Sequence, residues 1–150
     1  MNYVIIGLLF SLNSYAATFK IKRPCEDKII INTQVAVMTG ESVGDFTIRT
    51  LKKLQIPFKG SSVGIHSIFN TPNGLDALEV ISNTQMYAYG WCYSINGIGP
   101  ESYPSEINIS SDDEILWWFG YAEQLNGTWM TQCISSEDRS NGEVCKDILE

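Results

Sequence analysis

Between Tyr87 and Ile95 the chain alternates without a break. Tyr87, Tyr89, Trp91, Tyr93 and Ile95 are large, and Ala88, Gly90, Cys92 and Ser94 between them are small. Extended backbone sends successive side chains to opposite faces, so this run reads as a strand with an aromatic wall on one face and a flat, closely approachable surface on the other. Asn96-Gly97 ends it, because both residues tolerate the positive φ of a tight hairpin turn. The stretch is therefore a central strand carrying a cysteine, and the rest of the chain has to supply its neighbours.

Most of those neighbours are strands too. Thr18 to Lys22 alternates around Phe19 and Ile21 before Pro24 and is expected as a short edge strand. Lys28 to Met38 is the first long strand, with Ile29, Ile31, Val35 and Val37 on one face. Ser42 then offers a helix cap with Asp45 three residues on, as in a capping box. Val43, Phe46, Thr50 and Leu54 line one side of the helix that follows, with Leu51 on the flank, and Lys52 and Lys53 suit its C-terminal dipole. Gly44 weakens this reading, and a strand over Thr47 to Ile56 is the alternative.

Gly64 to Phe69 reads as a short strand, while Leu75 to Ile81 fits a helical turn or a strand equally well. A loop from Gly97 to Ser105 holds Pro100 and Pro104, and a short strand is expected at Ile107 to Ile109. In Glu114 to Ala122 both odd and even positions are large, so this strand is expected to be covered on both faces at least in part. Asn126-Gly127 is a second hairpin signal leading into a strand over Thr128 to Ile134. Residues from about 135 to 150 read as a polar tail held by Cys145. The order predicts an α+β fold, a mixed sheet with one main helix packed on one face, with a disulfide-stapled β-sandwich as the alternative.

The pattern Tyr-Gly-Trp-Cys-Tyr-Ser-Ile-Asn-Gly at 89 to 97, then Pro100-Glu101, then Asp113-Glu114-Ile115-Leu116-Trp117-Trp118-Phe119-Gly120, resembles a poorly characterised bacterial family. That family's domain is similar to the C-terminal domain of transcobalamin and intrinsic factor, in the soluble-ligand-binding β-grasp group. The resemblance spans roughly residues 35 to 122, and the segment from Trp91 to Asn96-Gly97 is its specific part. Where the family has Gly-Asp before its second motif, this chain has Ser111-Asp112-Asp113, which changes the turn. The resemblance implies a β-grasp sheet and, through transcobalamin, a corrinoid as one candidate ligand.

Compartment and partners follow from composition. With 150 residues there is room for one domain, expected over residues 17 to 150. Val4 to Phe10 is a short apolar run, and Ser14-Tyr15-Ala16 supplies the small residues of a cleavage site, so residues 1 to 16 read as a cleaved export signal. The run is too short to span a bilayer. Those sixteen positions carry no charged side chain, so the mature chain keeps the net charge of −7. An acidic chain without a basic stripe is a poor match for nucleic acid or an anionic membrane. Four cysteines, Cys25, Cys92, Cys133 and Cys145, in a secreted or periplasmic chain argue for two disulfides. Four cysteines allow three pairings and the sequence does not choose among them. The expected arrangement joins Cys92 to Cys133 between strands and Cys25 to Cys145 across the two ends.

Catalytic signals are sparse. His66 is the only histidine, sits in Gly64-Ile65-His66-Ser67-Ile68, and has no nucleophile elbow near it. The cysteines are too far apart for a zinc site, and Ser110 to Glu114 lacks the spacing of a calcium loop. No catalytic residue, metal or cofactor is expected. Paired carboxylates at Asp113, Glu114 or Glu101 leave one enzymatic alternative, an enzyme acting on envelope carbohydrate. What stands out is aromatic density: ten of seventeen aromatic residues fall between Tyr87 and Trp129. A sheet with one helix leaves a face uncovered, so Tyr103, Trp118 and Trp129 are candidates for an exposed binding patch. The expected function is a non-enzymatic exported module that binds another envelope or extracellular protein, or a small ligand. Its contact surface is expected at the loop Ile98 to Ser105 and the turn Glu123 to Thr128.

Overall fold

A computed structural model describes residues 15–150. The expected export signal lies outside the described residues except for Tyr15 and Ala16. The chain folds as an α+β protein built on one seven-stranded mixed sheet. Strand β1 (Ala16–Lys22) and strand β2 (Ile29–Ala36) form a hairpin, and helix α1 (Val43–Lys53) follows. A separate small hairpin, β3 (Phe58–Ser61) and β4 (Gly64–Ile68), comes next. Then come β5 (Leu78–Ser82), β6 (Gln85–Ile95), β7 (Glu114–Leu125), two short strands β8 (Thr128–Trp129) and β9 (Ile134–Ser135), and helix α2 (Glu143–Leu149).

The order across the sheet is β2-β1-β7-β6-β5, with β1 parallel to β7 and the other neighbours antiparallel. A first hairpin, a helix, and a late strand returning parallel to the first is a β-grasp-like arrangement. The alternating run from Tyr87 to Ile95 lies in β6. That strand pairs with β7 over eleven residue pairs from Gln85 opposite Leu125 to Ile95 opposite Ile115. Asn96 and Gly97 then turn the chain with φ of 53° and 79°, and Asn126-Gly127 repeats the geometry with 50° and 80°.

Both helices pack on the same face of this sheet. Phe19 and Ile21 of β1 and Ile115 and Trp117 of β7 join Val43, Phe46 and Leu51 of α1 in one buried cluster. Further along, Tyr89 and Phe119 meet Val144 and Cys145 of α2 in a second. The facing odd-numbered rings of β6 and β7 stack in a ladder, with centroids 5.1 Å apart for Tyr93 and Trp117 and 5.8 Å apart for Tyr89 and Phe119. Ser42 caps α1 as expected, its Oγ accepting from the Asp45 N–H at 3.0 Å and donating to the Asp45 carboxylate at 2.8 Å. Gly44, which argued against the helix, is there for space: a Cβ would lie 2.0 Å from the carbonyl oxygen of Ser62 in the β3–β4 turn. The disulfides are Cys25–Cys145 and Cys92–Cys133, the expected pairing.

Several expectations need correction. Thr18 to Lys22 belongs to an interior strand, since β7 returns to pair with it, and the edges are β2 and β5. Leu54 closes α1 from an exposed position while Thr47 takes a buried one. The segment Leu75 to Ile81 is both things in turn, a 3-10 turn at Gly74–Ala77 and then β5. Ile107 to Ile109 forms no strand; its neighbour contact is a single bridge from Asn108 to Ser42. The strand expected over Thr128 to Ile134 is broken, because the chain leaves the sheet so that Cys133, at φ 55°, reaches Cys92. Residues 135 to 150, expected as a polar tail held by Cys145, are held there, but they also form a 3-10 turn at Ser136–Arg139 and α2, where Val144 and Cys145 are buried.

Candidate functional site

Helices on one face and a crossing segment on the other leave two hollows beside the β6–β7 pair. One of the three expected site residues, Tyr103, falls in the hollow on the helix-covered face. There the β3–β4 turn contributes Val63, Gly64 and Ile65, the sheet contributes Trp91, Tyr93 and Trp117, and Glu101 to Pro104 close the side. Together they bound an open cleft of about 300 Å³.

The loop that closes it is fixed by local bonds. Ile95 and Ile98 exchange backbone hydrogen bonds of 2.9 and 3.0 Å across the Asn96-Gly97 turn. The Tyr93 hydroxyl donates to the Ser102 carbonyl at 2.7 Å. The Glu106 N–H donates to the Tyr103 carbonyl at 2.9 Å, and the Tyr103 N–H donates to the Glu106 carboxylate at 3.1 Å. With Pro104 buried beneath it, the loop holds Tyr103 out at 62% exposure. Burial, helped by the charge of Glu106, pushes the Tyr93 phenol up, so it remains a neutral donor.

The polar edges of the cleft's tryptophans are already used. Trp91 Nε1 donates to Thr71 Oγ1 at 2.8 Å, and Trp117 Nε1 donates to Thr47 Oγ1 at 3.1 Å. What the sheet presents to the cleft is ring surface. The alternation in β6 and β7 placed these rings on one face but carried no signal that the β3–β4 turn stands off far enough to leave them a gap; Gly44 was the one hint of where that turn sits.

Trp118 lies on the opposite face, since it neighbours Trp117 in one strand. Its Nε1 donates to the Cys133 carbonyl at 3.1 Å. With Leu116, Ser94 and Lys22 it borders a shallower groove of about 360 Å³. Lys22 is not free there, being paired with Asp27 at 2.8 Å and Glu137 at 2.6 Å. Burial pulls its ammonium down, but those two bonds outweigh the pull and leave its pKa raised. Trp129, exposed on β8, sits opposite Gln124. From Trp117 to Gln124 along β7 is roughly 23 Å at about 3.3 Å per residue. Tyr103, Trp118 and Trp129 thus occupy three separate places, and only Tyr103 lies in the aromatic cleft.

The carboxylates have structural partners. Asp113 accepts from Asn96 Nδ2 at 2.9 Å and from the Ser110 N–H at 2.8 Å, closing the turn before β7. Glu114 is paired with Lys20. Glu101 stands at the rim of the cleft. Among the described residues no three metal-ligating side chains come together, and no helix is long and apolar enough to cross a membrane.

Fold and site define a disulfide-stapled α+β protein of β-grasp-like order with an aromatic cleft on its helical face. Comparison with family models, with characterised proteins and with solved structures returned no match.

Proposed function

We propose that this chain is an exported, non-enzymatic binding module that holds a segment of another extracytoplasmic protein in the cleft beside Tyr103. The observation that carries the reading is a large aromatic side chain, 62% exposed, held by a hydrogen-bonded loop next to a cleft with aromatic walls. Exposed Tyr and Trp rings on fixed loops are favoured binding anchors because little side-chain freedom is lost on contact. Two disulfides support an oxidising compartment, and the apolar run before Ala17 supports export to the periplasm or beyond.

The resemblance to transcobalamin-like domains offers a corrinoid instead. A cleft of about 300 Å³ sits at the small end of ligand pockets and suits one or two side chains better than a macrocycle. The carbohydrate-enzyme alternative has less support, because Asp113 and Glu114 already serve a turn and an ion pair.

Purified mature protein used as bait in an extract of its own envelope should retain a partner that the Tyr103→Ala variant loses. Trp118→Ala, on the other face, should retain it. Equal recovery by all three baits, or by none above an empty resin, refutes the assignment.

A further inference from the structure

The chemistry of the cleft selects what it will accept. We infer that it receives a basic side chain, above all an arginine, presented by the partner protein. This deepens the reading given above and depends on it.

The cleft offers almost no donors to a guest. The indole N–H groups of Trp91 and Trp117 are spent on Thr71 and Thr47, and the Tyr93 hydroxyl is spent on Ser102. An anion would find no cation among the described lining residues, whose single charged member is Glu101, and only the hydroxyls of Ser102 and Tyr103 as side-chain donors not already spent. Ring faces carry the negative side of the aromatic quadrupole, so Trp91, Tyr93 and Tyr103 attract positive charge. Glu101 at the rim adds a carboxylate, and the charge of Glu106, whose carboxylate accepts from the Tyr103 N–H, is felt at Tyr93. A net charge of −7 draws cations toward the molecule at longer range.

The fold already builds this arrangement once for itself. The Arg139 guanidinium lies 3.4 Å from the centroid of Tyr87 while pairing with the Glu79 carboxylate at 3.1 Å. Ring face below and carboxylate beside is the geometry that a planar guanidinium fits better than an ammonium. The cleft sets aromatic rings beside a carboxylate in the same way, with no Lys or Arg among its described lining residues.

The test uses the intact, oxidised mature protein and two acetylated pentapeptides, Gly-Gly-Arg-Gly-Gly and the same peptide with citrulline, the neutral isostere, in place of arginine. Titration followed through the indole N–H resonances of the tryptophans should shift Trp91 with the arginine peptide. The citrulline peptide should bind roughly tenfold more weakly. Glu101→Gln and Tyr103→Ala should each weaken the arginine peptide, and added salt should weaken it further. Equal binding of the two peptides, shifts centred on Trp118, or no saturable binding at millimolar peptide overturns the inference. If envelope extract still yields a partner dependent on Tyr103 that the arginine peptide does not displace, the module reading survives and the choice of a cation is wrong. If no partner is recovered, the module reading itself fails.

Discussion

Thr50 is buried in the middle of α1, and its hydroxyl oxygen has no hydrogen-bond partner. An unmet buried hydroxyl costs more than the methyl that could replace it, and Val and Thr differ little in helix propensity. Thr50→Val is therefore expected to raise stability by about 1 kcal/mol, read as a higher urea midpoint with an unchanged slope. A lower midpoint would mean that the hydroxyl has a partner after all. Thr50 also marks the limit of reading residues from a pattern. The helical period put it on the inner side correctly but put Leu54 there as well, and Leu54 lies one residue beyond the last turn. Likewise the alternation through Trp117 and Trp118 fixed that they point apart. Which of the two faces the helices cover depends on contacts seventy residues away, such as Trp117 with Thr47, and no local signal carries that.

Long elements with a strong period were legible: β2, α1, β6, β7 and both Asn-Gly turns stand close to where the residues put them. Short ones were legible only in part: Gly64 to Phe69 reads as a strand and holds β4, while β3 and α2 give no such reading. β3 is four residues, three of them exposed, and α2 turns only Val144, Cys145 and Ile148 inward from a polar segment, so neither leaves a composition that differs from a loop. For α2 the missing signal is covalent. Cys145 is fully buried against Cys25, and the Cys25 N–H donates to Ser136 Oγ at 3.0 Å, so the end of the chain folds because it is fastened. The bridges span 120 and 41 residues of sequence. Loop-closure entropy then gives about 5 kcal/mol for Cys25–Cys145 and about 4 kcal/mol for Cys92–Cys133. Paired serine substitutions should lower the guanidinium midpoint in both cases. Amide exchange separates them: loss of Cys25–Cys145 should expose the α2 amides, and loss of Cys92–Cys133 should leave them protected.

Across the whole molecule, one polar network ties the C-terminal segment to the sheet. The Tyr89 hydroxyl donates to Glu79 at 2.8 Å, Arg139 Nε donates to that hydroxyl at 3.1 Å, and the Glu143 N–H reaches the same carboxylate at 3.3 Å. Burial alone would raise the Glu79 carboxyl, but bonds from Tyr89, Arg139 and the Glu143 backbone, with the charge of Arg139, hold it below its ordinary value. Its contribution to stability is therefore complete above the unfolded carboxyl pKa and is lost as pH falls through the lower folded one. Tyr89 runs the other way: burial first, and Glu79 with it, push its phenol up to about 12. That contribution is complete below the unfolded phenol pKa and is lost as pH rises toward about 12. Melting temperature against pH should lose part of its acid slope in Glu79→Gln and part of its alkaline slope in Tyr89→Phe; unchanged profiles would remove the network from the account. Finally, the seam between β1 and β7 sets an order of events. Ile21 has no parallel neighbour until Trp117 has been made, so a ribosome must deliver most of the polypeptide before its opening strand can settle. The strand pairing of greatest sequence separation in the sheet is thus among the last to form, after the local β1–β2 hairpin.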